Sequence, residues 1–206
     1  MQKINLNREQ LDALKEIGTI GGGSAATALS QLLGRKVYIK VPQVEILCLE
    51  ELTGREFSVN PEDLGFAVTL KILGSLKGEM LVLFNHKNAL LMVDILNQRK
   101  IGTTGIINLI EASALSESSH ILCSAYLNAI GELLNLHQLI PLIPKTIVDK
   151  MDRLNKVLLS KFMEEDIKYV LPIENHLVME DVELDVLVVF VLEYESVSKI
   201  LKIVGL

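Results

Sequence analysis

Two trios of polar side chains recur about one hundred residues apart in this chain. The first is Asp12, Glu16 and Thr19, in D-A-L-K-E-I-G-T-I; the second is Ser113, Glu117 and His120, in S-A-L-S-E-S-S-H-I. Steps of four and then three residues put each trio on one face of a helix. Two equivalent polar trios on two equivalent helices point to a duplicated chain with two equivalent surface sites. A single Glu on a helix is ordinarily a solvated side chain; recurrence at matching positions is what singles out Glu16 and Glu117. For Thr19 the plain alternative is a hydroxyl returned to its own helix carbonyl. Neutral His accepts a hydrogen bond through one ring nitrogen and reaches further than Thr. His86, His137 and His176 have no partners at meaningful spacing and read as surface or satisfied histidines.

A metal centre is a different use of the second trio. Glu117-x-x-His120 has the Glu-x-x-His spacing of di-iron carboxylate bundles, which need two such motifs and two further Glu. The position equivalent to His120 in the first trio is Thr19, so the expectation is no metal.

The elements that carry the trios are legible from local signals. Asn7 as N-cap and Gln10 at N3 make a variant capping box, opening a helix over about 8–33 that Gly34 stops. Segment 37–49 is β-rich and contains Pro42, which predicts an edge strand or a bend; 50–63 is an irregular connection. Segments 65–73 and 78–84 read as strands joined by a turn at 74–77, and 87–98 as a short amphipathic helix. Gly102 and Gly105 mark 101–107 as the link between halves. The order then recurs: a long helix over about 108–136, a segment with Pro141 and Pro144, strands at 167–178 and 182–192, and a closing helix at 196–204. Segment 146–163 reads as more helical than its counterpart, so the halves diverge there. The resulting expectation is an α+β fold: two pseudo-twofold-related helix/strand repeats, 8–100 and 108–206, share one central sheet within a single domain of residues 1–206, with long helices packed on it. Such a chain is a monomer or a weak homodimer, since the internal twofold completes the sheet.

The run G-T-I-G-G-G-S-A-A-T-A from Gly18 to Ala28 invites a phosphate-loop reading, but no Gly-Lys-Ser/Thr follows and no strand precedes it. Close helix packing is the expected role, because each Gly inside a helix costs roughly 0.5–1 kcal/mol against Ala and needs a reason. A kink that aims Glu16 and Thr19 outward is the other.

Bulk properties exclude several function classes. With 206 residues and a formal charge of −6, the chain can bury a substantial core and offers no electrostatic support to a nucleic-acid partner. No apolar run approaches the ~20 residues of a membrane-spanning helix, and the start is too short and polar for a signal peptide. Cys48 and Cys123 lie in apolar surroundings and read as buried free thiols, which fits a cytoplasmic protein.

At the two trios the sequence resembles a known family. L-K-E-I-G-T-I-G-G-G-S-A-A-T-A-L and S-A-L-S-E-S-S-H-I-L-C-S-A-Y are similar to the first and second active-site helices of CheC-type chemotaxis phosphatases. The family pattern is Asp or Ser, three residues, Glu, two residues, Asn. The strand V-P-Q-V-E-I and the twofold layout match as well, so the resemblance covers nearly the whole chain. The family is similar in fold to CheX phosphatases and to the central domain of the flagellar switch proteins FliM and FliY; a free-standing CheC-like protein, with no extra switch domain and no separate receiver-binding peptide, is the expectation. The resemblance implies action on the phospho-aspartate of a CheY-type response regulator. Glu16 and Glu117 would pair with the receiver's active-site Lys, Asp12 and Ser113 would contribute to binding, and the Asn amide would orient water in line with phosphorus. The receiver supplies metal and nucleophile, so no cofactor is implied. Both Asn positions differ here, being Thr19 and His120; set against the family's Asn, the longer His ranks the His120 site above the Thr19 site, and a water oriented or deprotonated by His120 gives a rate that rises near the imidazole's pKa. Two expectations follow: a phosphatase working through Glu117 with His120 and Glu16 with Thr19, or a binding module that holds a receiver, or the receptor deamidase CheD, without hydrolysis.

Overall fold

The structure is a computed structural model, and it describes residues 7–40, 47–48, 62–136, 138–164 and 169–204. Helix α1, Arg8–Leu33, starts where local chemistry places it. The Asn7 side chain accepts from the Gln10 N–H at 2.9 Å, and the Gln10 side chain accepts from the Asn7 N–H at 2.7 Å. Gly34 ends the helix in the left-handed region at φ 62°, where a Cβ is unfavourable. Helices α2 (His86–Leu96), α3 (Leu109–Leu133), α4 (Met151–Glu164) and α5 (Tyr194–Ile203) complete the described helices.

The strands are β1 (Tyr38–Lys40), β2 (Leu47–Cys48), β3 (Leu64–Leu73), β4 (Gly78–Asn85), β5 (Ile140–Pro141), β6 (Lys145–Lys150), β7 (Tyr169–Val178) and β8 (Glu183–Leu192). They form one antiparallel sheet in the order β1-β7-β8-β4-β3-β5, with β2 also on β7 and β6 also on β3. Two hairpins, β3–β4 and β7–β8, meet at the centre through β4 and β8, where Val82 faces Val188. The short strands cross over: β1 and β2 pair with the later hairpin, β5 and β6 with the earlier one. Each hairpin is therefore edged by chain from the opposite end of the sequence, which locks the two parts into one sheet.

The sheet is covered on both sides. One face carries Phe66, Val68, Met80, Val82, Ile173 and Phe190 beneath residues of α1, α2, α3 and α5. The other carries Ala67, Leu81, Leu83, Val189 and Val191 beneath Met151, Leu154, Leu158 and Phe162 of α4. Lys161 of α4 also pairs with the buried carboxylate of Glu79 on β4. Covering both faces explains the near-continuous apolar runs of β4 and β8.

Segment 146–163 is helical over most of its length, but its first five residues are strand: Thr146–Lys150 belongs to β6, with Ile147 opposite Ala67 and Val148 opposite Phe66, and helix begins at Met151. The β-branched run Thr146-Ile147-Val148 pairs with β3 before the 3- and 4-residue spacing of Met151, Leu154 and Leu158 takes over. Pro42, most of 50–63 and His137 lie outside the described residues, as does the side chain of Cys48; Cys123 is a buried free thiol, which burial makes harder to ionise.

The glycine run is a packing device. A Cβ on Gly21 would meet the Tyr126 ring of α3 at 2.4 Å, and one on Gly22 the Tyr126 hydroxyl at 3.2 Å, whereas Gly23 faces open space. The Tyr126 hydroxyl reaches past α1 to donate to the side-chain oxygen of Asn175 on β7. Gly21→Val is expected to destabilise the protein by about 2–3 kcal/mol through overpacking. Gly23→Ala should stabilise it by ~0.5–1 kcal/mol through helix propensity. Melting temperatures moving in opposite directions would show it; equal shifts would contradict the packing account.

Candidate functional site

On α1 the buried positions Leu14, Ile17, Gly18 and Gly21 turn one side to the core and leave Asp12, Glu16 and Thr19 exposed on the other. On α3 the buried positions Leu115, Ser118, Ser119 and Leu122 do the same for Ser113 and Glu117, with His120 half-buried at the edge. Ser118 and Ser119 satisfy themselves inside the helix, both donating to the Leu115 carbonyl. The two trios sit on neighbouring, mutually packed helices, with no hydrogen bond or ion pair between them among the described residues.

The trios differ in what is free to act. Thr19 Oγ1 donates to the Lys15 carbonyl at 2.8 Å and Ser113 Oγ to the Leu109 carbonyl at 3.0 Å, so both hydroxyl protons are committed to the helix. His120 Nδ1 lies 3.9 Å from Glu117 Oε2, with side-chain exposures of 32% and 65%. That separation is too long for a direct hydrogen bond and leaves imidazole and carboxylate side by side, open to a third group. Chemically, the second trio offers an acceptor or base and a carboxylate on one accessible face; the first offers a carboxylate and a hydroxyl oxygen. No cluster of three or more His, Cys, Asp or Glu side chains suited to a metal is present among the described residues.

His176 departs from expectation. It is satisfied, as read, but it has partners: Nδ1 meets Asp185 Oδ1, and Nε2 lies 2.9 Å from Glu183 Oε2. The hydrogen bond to Asp185, then that to Glu183, holds the imidazole above its ordinary pKa. These partners are nine and seven residues away, brought together by the β7–β8 register.

Sequence reasoning also missed what fixes the second trio in place. Asp94, fully buried near the end of α2, accepts from the N–H groups of Gly102, Thr103 and Thr104 at 2.7, 3.1 and 3.0 Å. The hydroxyls of Thr103 and Thr104 donate to it at 3.1 and 2.6 Å. Arg99 then donates to Thr104 Oγ1 at 3.1 Å and to Glu111 Oε1 at 2.5 Å. Glu111 closes the capping box of α3 by accepting from the Asn108 N–H at 2.9 Å, while Asn108 accepts from the Glu111 N–H at 3.0 Å. The chain from Asp94 to Glu111 thus clamps the start of the helix that carries Ser113, Glu117 and His120. Asn108-x-x-Glu111 was the visible part of this; Asp94 gave no signal.

The profile of the CheC-like family matches residues 9–46, which include the first trio. The CheY-P phosphatase CheC of Bacillus subtilis is 33% identical over 150 residues, covering 70% of this chain and 68% of that protein. The crystal structure of FliY from Thermotoga maritima superposes with a TM-score of 0.76 at 21% identity, over 98% of each chain. The chemotaxis protein CheX of Desulfovibrio desulfuricans gives 0.51 at 16% identity, over 86% of this chain and 99% of that one. The two structural matches speak to the fold, an α+β arrangement of helices on an antiparallel sheet. The CheC relationship reaches further, at 33% identity over about two thirds or more of each protein, and on it the chain belongs to the CheC-like family.

Proposed function

We propose that this protein acts in chemotaxis on the phospho-aspartate of a CheY-type response regulator, hydrolysing it with a water positioned by Glu117 and His120. The observation that carries the reading is the exposed Glu117 carboxylate with the His120 imidazole 3.9 Å away on the same helix face, in a chain 33% identical to a CheY-P phosphatase. An acyl phosphate is already reactive, so orientation and charge placement are what the protein needs to supply. In this reading Glu117 pairs with the receiver's active-site Lys and fixes docking, Ser113 and Asp12 contribute to binding, and a His120 ring nitrogen accepts from the attacking water. Glu16 and Thr19 form the weaker second site, because the Thr19 hydroxyl is turned back to Lys15. The receiver brings its own metal and nucleophile, and no cofactor enters. The two parts of the chain, 8–100 and 108–206, are proposed as a duplicated unit within one domain, consistent with the recurring element order and the crossed edge strands. No described helix is long and apolar enough to cross a membrane; a cytoplasmic location is part of the proposal, as is a monomer or weak homodimer.

A second reading has its own support. The committed Thr19 hydroxyl leaves the first trio without the amide of the family pattern, as expected of a binding module that holds a receiver or a CheD-type deamidase without turnover. His120→Asn separates the two. It restores the family's water-orienting amide, and is expected to raise hydrolysis of the phosphorylated receiver several-fold or more, read as loss of acyl phosphate against time. No gain, with receiver binding retained, would favour the binding module.

A further inference from the structure

Just before the second trio the chain exposes three large aliphatic side chains: Ile106 at 84%, Leu109 at 88% and Ile110 at 79%. At about 100° per residue, Leu109, Ile110, Ser113, Glu117 and His120 all fall within an arc of about 100° on α3. With a rise of about 1.5 Å per residue, the ridge ends some 12 Å or less along the helix from Glu117. The backbone beneath it is fixed. Leu109 and Ile110 occupy the first turn of α3, which the Asn108–Glu111 capping box, Arg99 and buried Asp94 hold through a continuous set of hydrogen bonds. Bare aliphatic side chains on a clamped turn make a preformed contact rather than a fraying end.

Among the described residues the first trio has no such ridge. The positions on α1 that bear the same relation to Asp12, Glu16 and Thr19 are Arg8 and Glu9, both exposed and charged. The two sites thus share a carboxylate and differ in the surface beside it.

Resting on the function proposed above, we infer that Ile106, Leu109 and Ile110 form an apolar docking ridge for the phosphorylated receiver, so that the receiver engages the Glu117–His120 site in preference to the Glu16–Thr19 site. The extent of the ridge argues for this occupant over a second copy of the chain. Three aliphatic side chains fall well short of the roughly 800 Å² per partner of a stable dimer, and suit a transient signalling contact. Their continuity with the polar pair points the same way: one partner lying along α3 covers the ridge and reaches Glu117 together.

The test measures affinity for a CheY-type receiver activated with beryllofluoride, by titration calorimetry. Leu109→Ser/Ile110→Ser is expected to weaken binding at least tenfold, and Ile106→Ser about threefold. Arg8→Ser/Glu9→Ser should change affinity less than twofold. All these side chains are solvent-exposed, so folding is not at stake. Unchanged affinity in the ridge variants, with binding still lost in Glu117→Ala, would overturn the ridge while leaving the site's reading intact. Receiver binding that survives both the ridge variants and Glu117→Ala would overturn the site's reading together with it. Loss of self-association in the ridge variants with receiver affinity unchanged would make the ridge a contact between copies and would also overturn the proposal.

Discussion

Glu117→Ala is expected to reduce receiver dephosphorylation to the receiver's own rate, a loss of acceleration on the order of 10²-fold or more. Two effects combine. The carboxylate is 65% exposed and makes no hydrogen bond among the described residues, so its removal leaves the fold intact and strips the second trio of its one carboxylate. Without that anion a partner's ammonium loses its docking charge, and a misplacement of ~1 Å at the reacting centre is enough to cost two orders of magnitude. His120→Ala should lower the rate to a similar extent by a separate route, with receiver affinity nearly unchanged, because His120 acts on the water rather than on the partner's cation. Glu16→Ala and Thr19→Ala are expected to reduce the rate less than threefold. Rates from loss of acyl phosphate, set beside affinities for the same variants, check all four. Equal losses from the two trios would contradict the ranking.

The second large effect is on stability. Asp94→Ala is expected to destabilise the protein on the order of 3 kcal/mol, since three backbone N–H groups and two hydroxyls lose their acceptor in the interior. For a chain of this size that lowers the melting temperature by about 6–12 °C. Burial alone would push the Asp94 carboxyl up, but the hydrogen bonds from Thr104, Gly102 and Thr103 outweigh it and hold the group below the ordinary Asp range. Glu111 is lowered as well, chiefly by the Asn108 N–H and by Arg99. The sign follows: groups with depressed folded pKa values stabilise fully above the unfolded carboxylate range of about 4, and that contribution is lost as pH falls below it. The gap in melting temperature between wild type and Asp94→Ala should therefore be full at neutral pH and narrow on acidification below about pH 4. A pH-independent gap would show that Asp94 acts by shape rather than by charge. Because the same network clamps the start of α3, Asp94→Ala should also weaken receiver binding at temperatures where the protein remains folded.

What could be read in advance divides along the range of the forces involved. Helix α1 was legible at both ends because its signals are local: Asn7 and Gln10 lie three residues apart, and Gly34 needs no partner to favour a left-handed turn. The trios were legible because helical spacing alone sets their faces. Strand β6 was not, because Thr146–Lys150 runs directly into α4 and its partner on β3 lies about eighty residues earlier. The carboxylates around His176 were hidden for the same reason, being neighbours only through the β7–β8 register. Asp94 gave no signal because its five donors come from a turn that follows the helix. Gly21 was expected to serve close packing, and the identity of its neighbour, Tyr126, required the structure.

The most direct test of the central claim is the decay of a phosphorylated CheY-type receiver with and without substoichiometric amounts of this protein. A decay rate that rises in proportion to added protein, with each molecule turning over many receivers, is the expected result. Decay at the receiver's unaided rate, while titration still shows binding, would contradict it and leave a protein that holds its receiver without hydrolysing it.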